Sequence, residues 1–478
     1  MQSLKVDSLP IGSCYHTITL DFVRFYTKQL CPDRSSNLYN YLAHIGFRVK
    51  SHRFSERMAP ISPLRSYERT IFIRYMQPLV VIETHPVQYH APVYRVLQQK
   101  YGIPVTAIYG SDFSIAGYQD SGFDTKLAWD TDLLSGYTSY FLSRVSDGGA
   151  RSTRELNSRG LRKALRMADP AAVLLLGYYS KFYLDAFWQA WLSGSSLLLR
   201  AEATDHTKIR KPVEALLRDT FLHFIYKHFD AFLPIGKRSA DHYYRLMGNK
   251  IPHFFSPYCV DVTAFRPTEE GRKQLRERTR HSLNITERMC VLMFVGKLMS
   301  VKSLDVLVDA VKQLPINQRE NLVILFVGEG QLRPMLEQRT AEAPAINTRF
   351  VGFQNQTELS PFYHASDIFV LPSRSETWGL VINEALHHGL PCIVSSQVGC
   401  APDLVIPGET GEVFESGNVT QLIHAITSAL MLTNQASIRE RCRTQVASYT
   451  VERAASGIAE AFKYVTTAKP VVRFSFPR

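Results

Sequence analysis

The chain has 478 residues, 45% of them hydrophobic, which is enough for two ordinary globular cores and a further segment. No apolar run approaches the ~18 residues of a helical membrane span, and the first residues, with Lys5, Asp7 and Pro10, do not read as a signal peptide. Seven cysteines contain no C-x-x-C pair, which speaks for a reducing compartment and against a metal site or a disulfide framework. Of the formal charge of +12, half comes from residues 1–75, with 11 Lys and Arg against 5 Asp and Glu. The remainder is mildly basic, as suits phosphate-bearing substrates or an anionic membrane surface, and no nucleic-acid partner is expected.

Residues 1–77 do not share the pattern of the rest of the chain. Apolar clusters such as Ile18 to Phe25 alternate with Arg-rich stretches such as Arg48 to Arg57. Three readings stand: a small appended domain, a targeting segment (against which Asp7 and Asp21 argue), or a natural start at Met76, where MQPLVVIETHPVQY reads like a fold's opening strand.

From Pro78 the pattern is α/β. Leu79–Ile82 reads as a buried strand and Ala91–Gln99 as a helix with Pro92 in its first turn. Further strands are expected at Val105–Tyr109, Ala171–Leu176, Ser196–Arg200 and Ala231–Pro234. Strands alternating with helices imply a parallel sheet of Rossmann type, with functional loops beyond the strands' carboxyl ends. His85, Gly177 and the group Glu202, Asp205, His206 fall there. Lys208 to Phe232 mixes lysines and arginines with Leu216, Leu217, Phe221 and Phe224. It reads either as a basic face lying on a membrane or as a core helix with a solvated back.

Ser256 to Pro267 looks like the exit from this first domain, residues 78–267, and Glu269 to Arg288 like a linker with a surface helix. A second domain, 268–450, repeats the strand–helix rhythm. Its expected strands are Cys290–Val295, Leu322–Val327, Phe350–Phe353, Ile368–Leu371, Cys392–Ser395 and Glu412–Phe414, with a helix near Leu422–Leu430. Residues 451–478 are expected to form a helix and tail packing back on the first domain.

The stretch Leu371 to Pro391, LPSRSETWGLVINEALHHGLP, reads as a strand end, a turn and a helix that Gly389 and Pro391 stop. Glu376 lies before the helix and Glu384 within it. This E-x7-E spacing before G-L-P resembles the retaining glycosyltransferases of family four. Gly296-Lys297-Leu298-Met299-Ser300-Val301-Lys302-Ser303 matches that family's G-[RK]-L-x-x-x-K-G except that Ser303 replaces a glycine. The resemblance covers most of the chain after about Met76.

It implies the GT-B fold: two Rossmann-like, doubly wound parallel-sheet domains facing across a cleft, the acceptor held mainly by the first and a nucleotide diphosphate sugar mainly by the second. Lys297, Lys302 and Gly296 would hold the diphosphate with the amide end of the helix at Gly379 and Leu380, where free N–H groups favour an anion. Glu384 would take ribose hydroxyls and Glu376 sugar hydroxyls. Backbone near Glu329 and Phe353 would border the base. A catalytic or sugar-contacting histidine is expected in the first domain, with His85 and His206 as candidates. Thr84 to His90 also resembles a bacterial subset opening with H-P-x-Q-Y.

Neither a phosphate loop for ATP nor a dinucleotide G-x-G-x-x-G follows the first strand. No zinc spacing stands out either, so no cofactor and no metal are expected. The implied activity is retaining transfer to a hydroxyl of a glycan or lipid-linked acceptor, in surface polysaccharide or glycoconjugate synthesis. A cytoplasmic location is implied, with peripheral contact at the inner membrane face if the basic stretch meets lipid. A sugar-nucleotide epimerase, a phosphorylase or a non-catalytic GT-B scaffold remain alternatives.

Overall fold

The computed structural model describes residues 77–468, apart from 121–124, 128–129, 207–209, 266–268 and 344–345. The readings of residues 1–76 and of Lys208 lie outside the described residues.

The first domain is built on β1 (Leu79–Glu83), β2 (Val105–Tyr109), a small antiparallel pair β3 (Tyr118–Asp120) and β4 (Thr125–Leu127), then β5 (Thr138–Phe141), β6 (Ala172–Leu175), β7 (Ser196–Leu199) and β8 (Ala231–Phe232). Six of these form one parallel sheet in the order β5-β2-β1-β6-β7-β8, with Leu79 opposite both Val105 and Ala172. All five residues of β1 are buried, Leu79 to Ile82 as the continuous apolar run that a strand covered on both faces needs, and Glu83 as a carboxylate at its end. Alternate residues serve opposite layers: Leu79 and Val81 pack with Val93 and Leu97 of helix α1 (Ala91–Tyr101), whereas Val80 and Ile82 pack with Phe182, Phe187 and Tyr226. Helix α2 (Lys237–Met247) comes after β8.

The second sheet comprises β9 (Cys290–Val295), β10 (Leu322–Val327), β11 (Asn347–Phe350), β12 (Ile368–Leu371), β13 (Cys392–Ser395) and β14 (Gly411–Phe414), in the order β11-β10-β9-β12-β13-β14. Both sheets thus share one winding, and in each the order reverses at the first strand. Loops that leave β9 and β12 flank the crevice at that reversal, the usual place for a ligand in an open α/β sheet. Helix α3 (Leu380–His387) leaves the loop after β12.

One expectation is corrected, and one strand of the first parallel sheet was not expected. The strand expected at Phe350–Phe353 is Asn347–Phe350, and Phe353 lies in the loop beyond it. Gly352 has φ 75° and its carbonyl accepts from the Gly328 N–H at 2.8 Å, so the chain turns there instead of extending. Strand β5 has no counterpart among the expected strands. It is an edge strand whose residues are alternately exposed and half-buried, so it carries no apolar run.

Helix α4 (Val451–Ala468) returns to the first domain, where Ala454, Ile458, Phe462 and Val465 join the core of Leu79 and Leu97. Gly457 permits that return: a Cβ there would stand 2.1 Å from the Phe255 carbonyl oxygen. The two domains also meet along a polar and aromatic seam. Asp403 accepts from the Lys237 N–H at the start of α2 at 2.9 Å, Arg238 donates to the Ser396 carbonyl at 2.7 Å, and Asn383 donates to the Tyr258 carbonyl at 3.3 Å.

Candidate active site

The carboxyl ends of β9, β10, β11 and β12 place four loops side by side. After β9 come Gly296 and Lys297, the latter partly buried. Gly328 after β10 has φ 144°, and a Cβ on it would lie 2.0 Å from the Gly296 carbonyl oxygen. The two loops therefore pack backbone against backbone. Leu298 N–H donates to the Glu329 carbonyl at 2.8 Å, while the Glu329 carboxylate pairs with Arg333. The Glu329 backbone carbonyl is thus taken by the neighbouring loop and its side chain by an arginine one helical turn away. Phe353 is partly buried in the neighbouring loop.

Lys302 ends a short 3-10 turn and donates to the Glu376 carboxylate. Glu376 is held from behind: its N–H donates to the Gln397 carbonyl at 3.3 Å, and its own carbonyl accepts from the Gly399 N–H at 3.0 Å. Gly379, with φ 98°, is the N-cap of α3 and Leu380 the first helical residue. The first amides of a helix lack partners within it, so this end presents N–H groups and a positive dipole beside the Lys302–Glu376 pair. Lys302, Glu376, Gly379 and Leu380 are thereby brought to one corner of the cleft.

Glu384 lies a turn further along α3 and is only 5% exposed. Its carboxylate accepts from the Tyr363 hydroxyl at 2.6 Å and from Gln356 Nε2 at 3.2 Å. Burial pushes its carboxyl above the ordinary range, and the two donors oppose the shift. Gln356 and Tyr363 escaped the sequence reading, because nothing marks a glutamine 28 residues and a tyrosine 21 residues before a glutamate as its partners. Trp378 is buried, donates through Nε1 to Asn383 Oδ1 at 2.9 Å and lies edge-on to Tyr258 of the first domain, a structural role at the turn.

In the first domain the two candidate histidines are not equivalent. His85 is half-buried beyond β1, its Nδ1 2.9 Å from Thr84 Oγ1 and its ring 4.5 Å from Phe113. Burial lowers its pKa, which favours a neutral ring at pH 7. His206 is exposed, with its backbone N–H on Thr204 Oγ1 at 3.2 Å. Its neighbour Asp205 turns away into a network with Arg218, Arg245 and the buried His242. A buried trio was missed: Glu83 pairs with His90 Nδ1 at 2.5 Å and accepts from the Tyr94 hydroxyl at 3.1 Å. Reading Leu79–Ile82 as the strand stopped one residue short of that carboxylate. The basic stretch forms the helix Pro212–Tyr226, which buries Leu222, Ile225 and Tyr226 and exposes Val213 and Leu216. Among the described residues no helix is long and apolar enough to cross a membrane.

Two sheets of identical winding, meeting through their carboxyl-end loops with one anion-favouring helix start between them, define the GT-B architecture. Residues 276–447 match the family described as Glycosyl transferases group 1. Over 174 residues the chain is 33% identical to sulfoquinovosyl transferase SQD2 of Arabidopsis thaliana, covering 36% of this chain and 32% of that protein. Over 161 residues it is 35% identical to a D-inositol 3-phosphate glycosyltransferase of Catenulispora acidiphila, covering 32% and 36%. The chain therefore spans about a third of the length of these curated relatives. Solved structures match over nearly their whole length. A glycosyltransferase from Rickettsia africae superposes with TM-score 0.59 at 14% identity, over 82% of this chain and 99% of that one. Anabaena HepE, in complex with UDP and glucose, superposes with TM-score 0.57 at 15% identity, over 80% and 98%.

Proposed function

We propose that the protein is a retaining glycosyltransferase of family four that moves a sugar from a nucleotide diphosphate sugar to a hydroxyl of a glycan or lipid-linked acceptor. The observation that carries this reading is the Lys302–Glu376 pair set before the amide end of α3, with Glu384 buried in the same helix. The loop after β9 thus offers an ammonium, and the segment Glu376 to Glu384 offers amides for a diphosphate, a carboxylate for sugar hydroxyls and another for the ribose. The match of residues 276–447 to group 1 glycosyl transferases supports the same assignment.

In this mechanism Lys297, Lys302 and the α3 amides stabilise the negative charge that grows on the leaving diphosphate. The bond from the anomeric carbon to the phosphate oxygen breaks, and a bond to the acceptor oxygen forms on the same face. The acceptor's hydroxyl proton passes to the departing phosphate. Glu376 orients the sugar, and His85, neutral beyond β1, contacts sugar or acceptor from the first domain. These cations and amides neutralise the diphosphate without a metal ion, so transfer continues in the presence of a chelator.

The test is a screen of UDP-, GDP- and ADP-sugars for thermal stabilisation, with transfer assays on the hit. Stabilisation that Glu384→Ala abolishes, with turnover only when an acceptor hydroxyl is supplied, is the expected result. Conversion of the nucleotide sugar without acceptor would make the protein an epimerase instead.

A further inference from the structure

We propose that Gln88, in the first domain, completes the nucleoside subsite of the second: its side-chain oxygen accepts from a ribose hydroxyl of the nucleoside that Glu384 receives. The inference rests on the reading of Glu384 as the ribose-binding carboxylate.

The geometry fixes which way each amide faces. An ionised carboxylate only accepts, so Gln356 turns its NH2 to Glu384, at 3.2 Å. That leaves the Gln356 oxygen facing the first domain, where it accepts from Gln88 Nε2 at 3.0 Å. Gln88 thus turns one N–H of its amide to Gln356, and its own oxygen points elsewhere. That oxygen is sealed from water and has no hydrogen-bond partner. One charge on Glu384 therefore polarises two amides in series and leaves a buried acceptor at the far end. A buried acceptor without a donor costs about 1–3 kcal/mol. A ribose carries two adjacent hydroxyl donors, so when one donates to Glu384 the other is available to Gln88.

The next residue strengthens the placement. Thr357 donates from its N–H to Asp130 of the first domain at 3.2 Å and from its hydroxyl to the same carboxylate. Residues 356 and 357 are thus where the two domains grip each other beside Glu384. A nucleoside enters when this grip parts and meets Gln88 as it closes, which ties donor occupancy to domain closure.

The experiment measures binding of UDP, GDP and ADP, each with its 2′-deoxy and 3′-deoxy counterpart, by calorimetry to wild type, Gln88→Ala and Gln88→Met. Gln88→Met keeps the side chain's volume and reports in place of Gln88→Ala if the smaller residue impairs folding. In wild type the preferred diphosphate is expected to bind about tenfold more tightly than one of its deoxy forms. In the Gln88 variants that discrimination falls to within about twofold, while the deoxy form binds as it does to wild type. Equal weakening of ribose and deoxyribose forms, or no weakening, would overturn the Gln88 assignment and leave the Glu384 reading intact. Wild type binding none of the three diphosphates would overturn both.

Discussion

Lys302 reaches across 74 residues of sequence to donate to Glu376, the residue expected to orient the sugar. Both side chains are about a fifth exposed, at 18% and 20%, so the pair itself adds under about 1 kcal/mol to stability. Under the proposed function it acts instead through its place in front of the α3 amides. Lys302→Ala is expected to lower kcat about 100-fold, the usual loss when one donor to a developing oxyanion is removed, with a melting temperature close to wild type. Initial rates at saturating nucleotide sugar measure this. Unchanged turnover would mean that no diphosphate oxygen sits against this ammonium.

Burial disfavours the charged form of Glu384 in the folded protein. Burial raises its folded pKa above the ordinary 4.5, so the folded state binds the proton more tightly than the unfolded chain. The wild type is therefore relatively stable below pH 4.5 and loses that contribution as pH rises through the folded pKa. Glu384→Gln carries no charge and escapes the loss. It is expected to be more stable than wild type near neutral pH, with the advantage vanishing at low pH, while nucleotide affinity collapses. Thermal melts across pH check it; a variant less stable than wild type near neutral pH would refute the account.

These three residues show what the sequence made legible. Glu376, Lys302 and Glu384 could be found because E-x7-E and G-[RK]-L-x-x-x-K-G resemble one family's motifs, while strand, turn and helix signals placed them at the carboxyl ends of parallel strands, where loops open on one edge of the sheet. Sequence distance hid the partners. Gln356 reaches Glu384 across 28 residues and Gln88 reaches Gln356 across 268, and amides in polar loops carry no pattern of their own. The first domain was harder for the same reason. The Glu83–His90 pair joins a strand end to a helix start, and only the turn between them, which no periodicity describes, brings them together.

Ser303 stands where the resemblance calls for glycine, and the structure gives the physical reason for the preference. Its backbone is left-handed, φ 49° and ψ 44°, a conformation that costs a side-chain-bearing residue about 1 kcal/mol or more. The residue is also fully buried with its hydroxyl unpaired. Ser303→Gly removes both penalties and is expected to stabilise the second domain by about 1 kcal/mol after the larger entropy of the unfolded glycine is counted. Denaturant midpoints measure it. Destabilisation would show that the serine hydroxyl makes a contact that outweighs the strain.

Gly236 is needed for a different reason, since its φ of −179° is open to any residue. A Cβ at this position would stand 2.2 Å from Trp378 Cζ3 and 3.1 Å from Asp403 Oδ1, on the seam where the domains meet. Gly236→Ala must therefore push Trp378 or the Lys237–Asp403 contact aside, an overpacking cost of about 1–3 kcal/mol. Trp378→Phe shortens the ring and makes room, at the loss of the Asn383 hydrogen bond. Combined, the two substitutions are expected to destabilise by clearly less than the sum of their separate effects. A denaturation cycle over the four proteins measures the coupling, and strict additivity would mean that the added methyl never meets the indole.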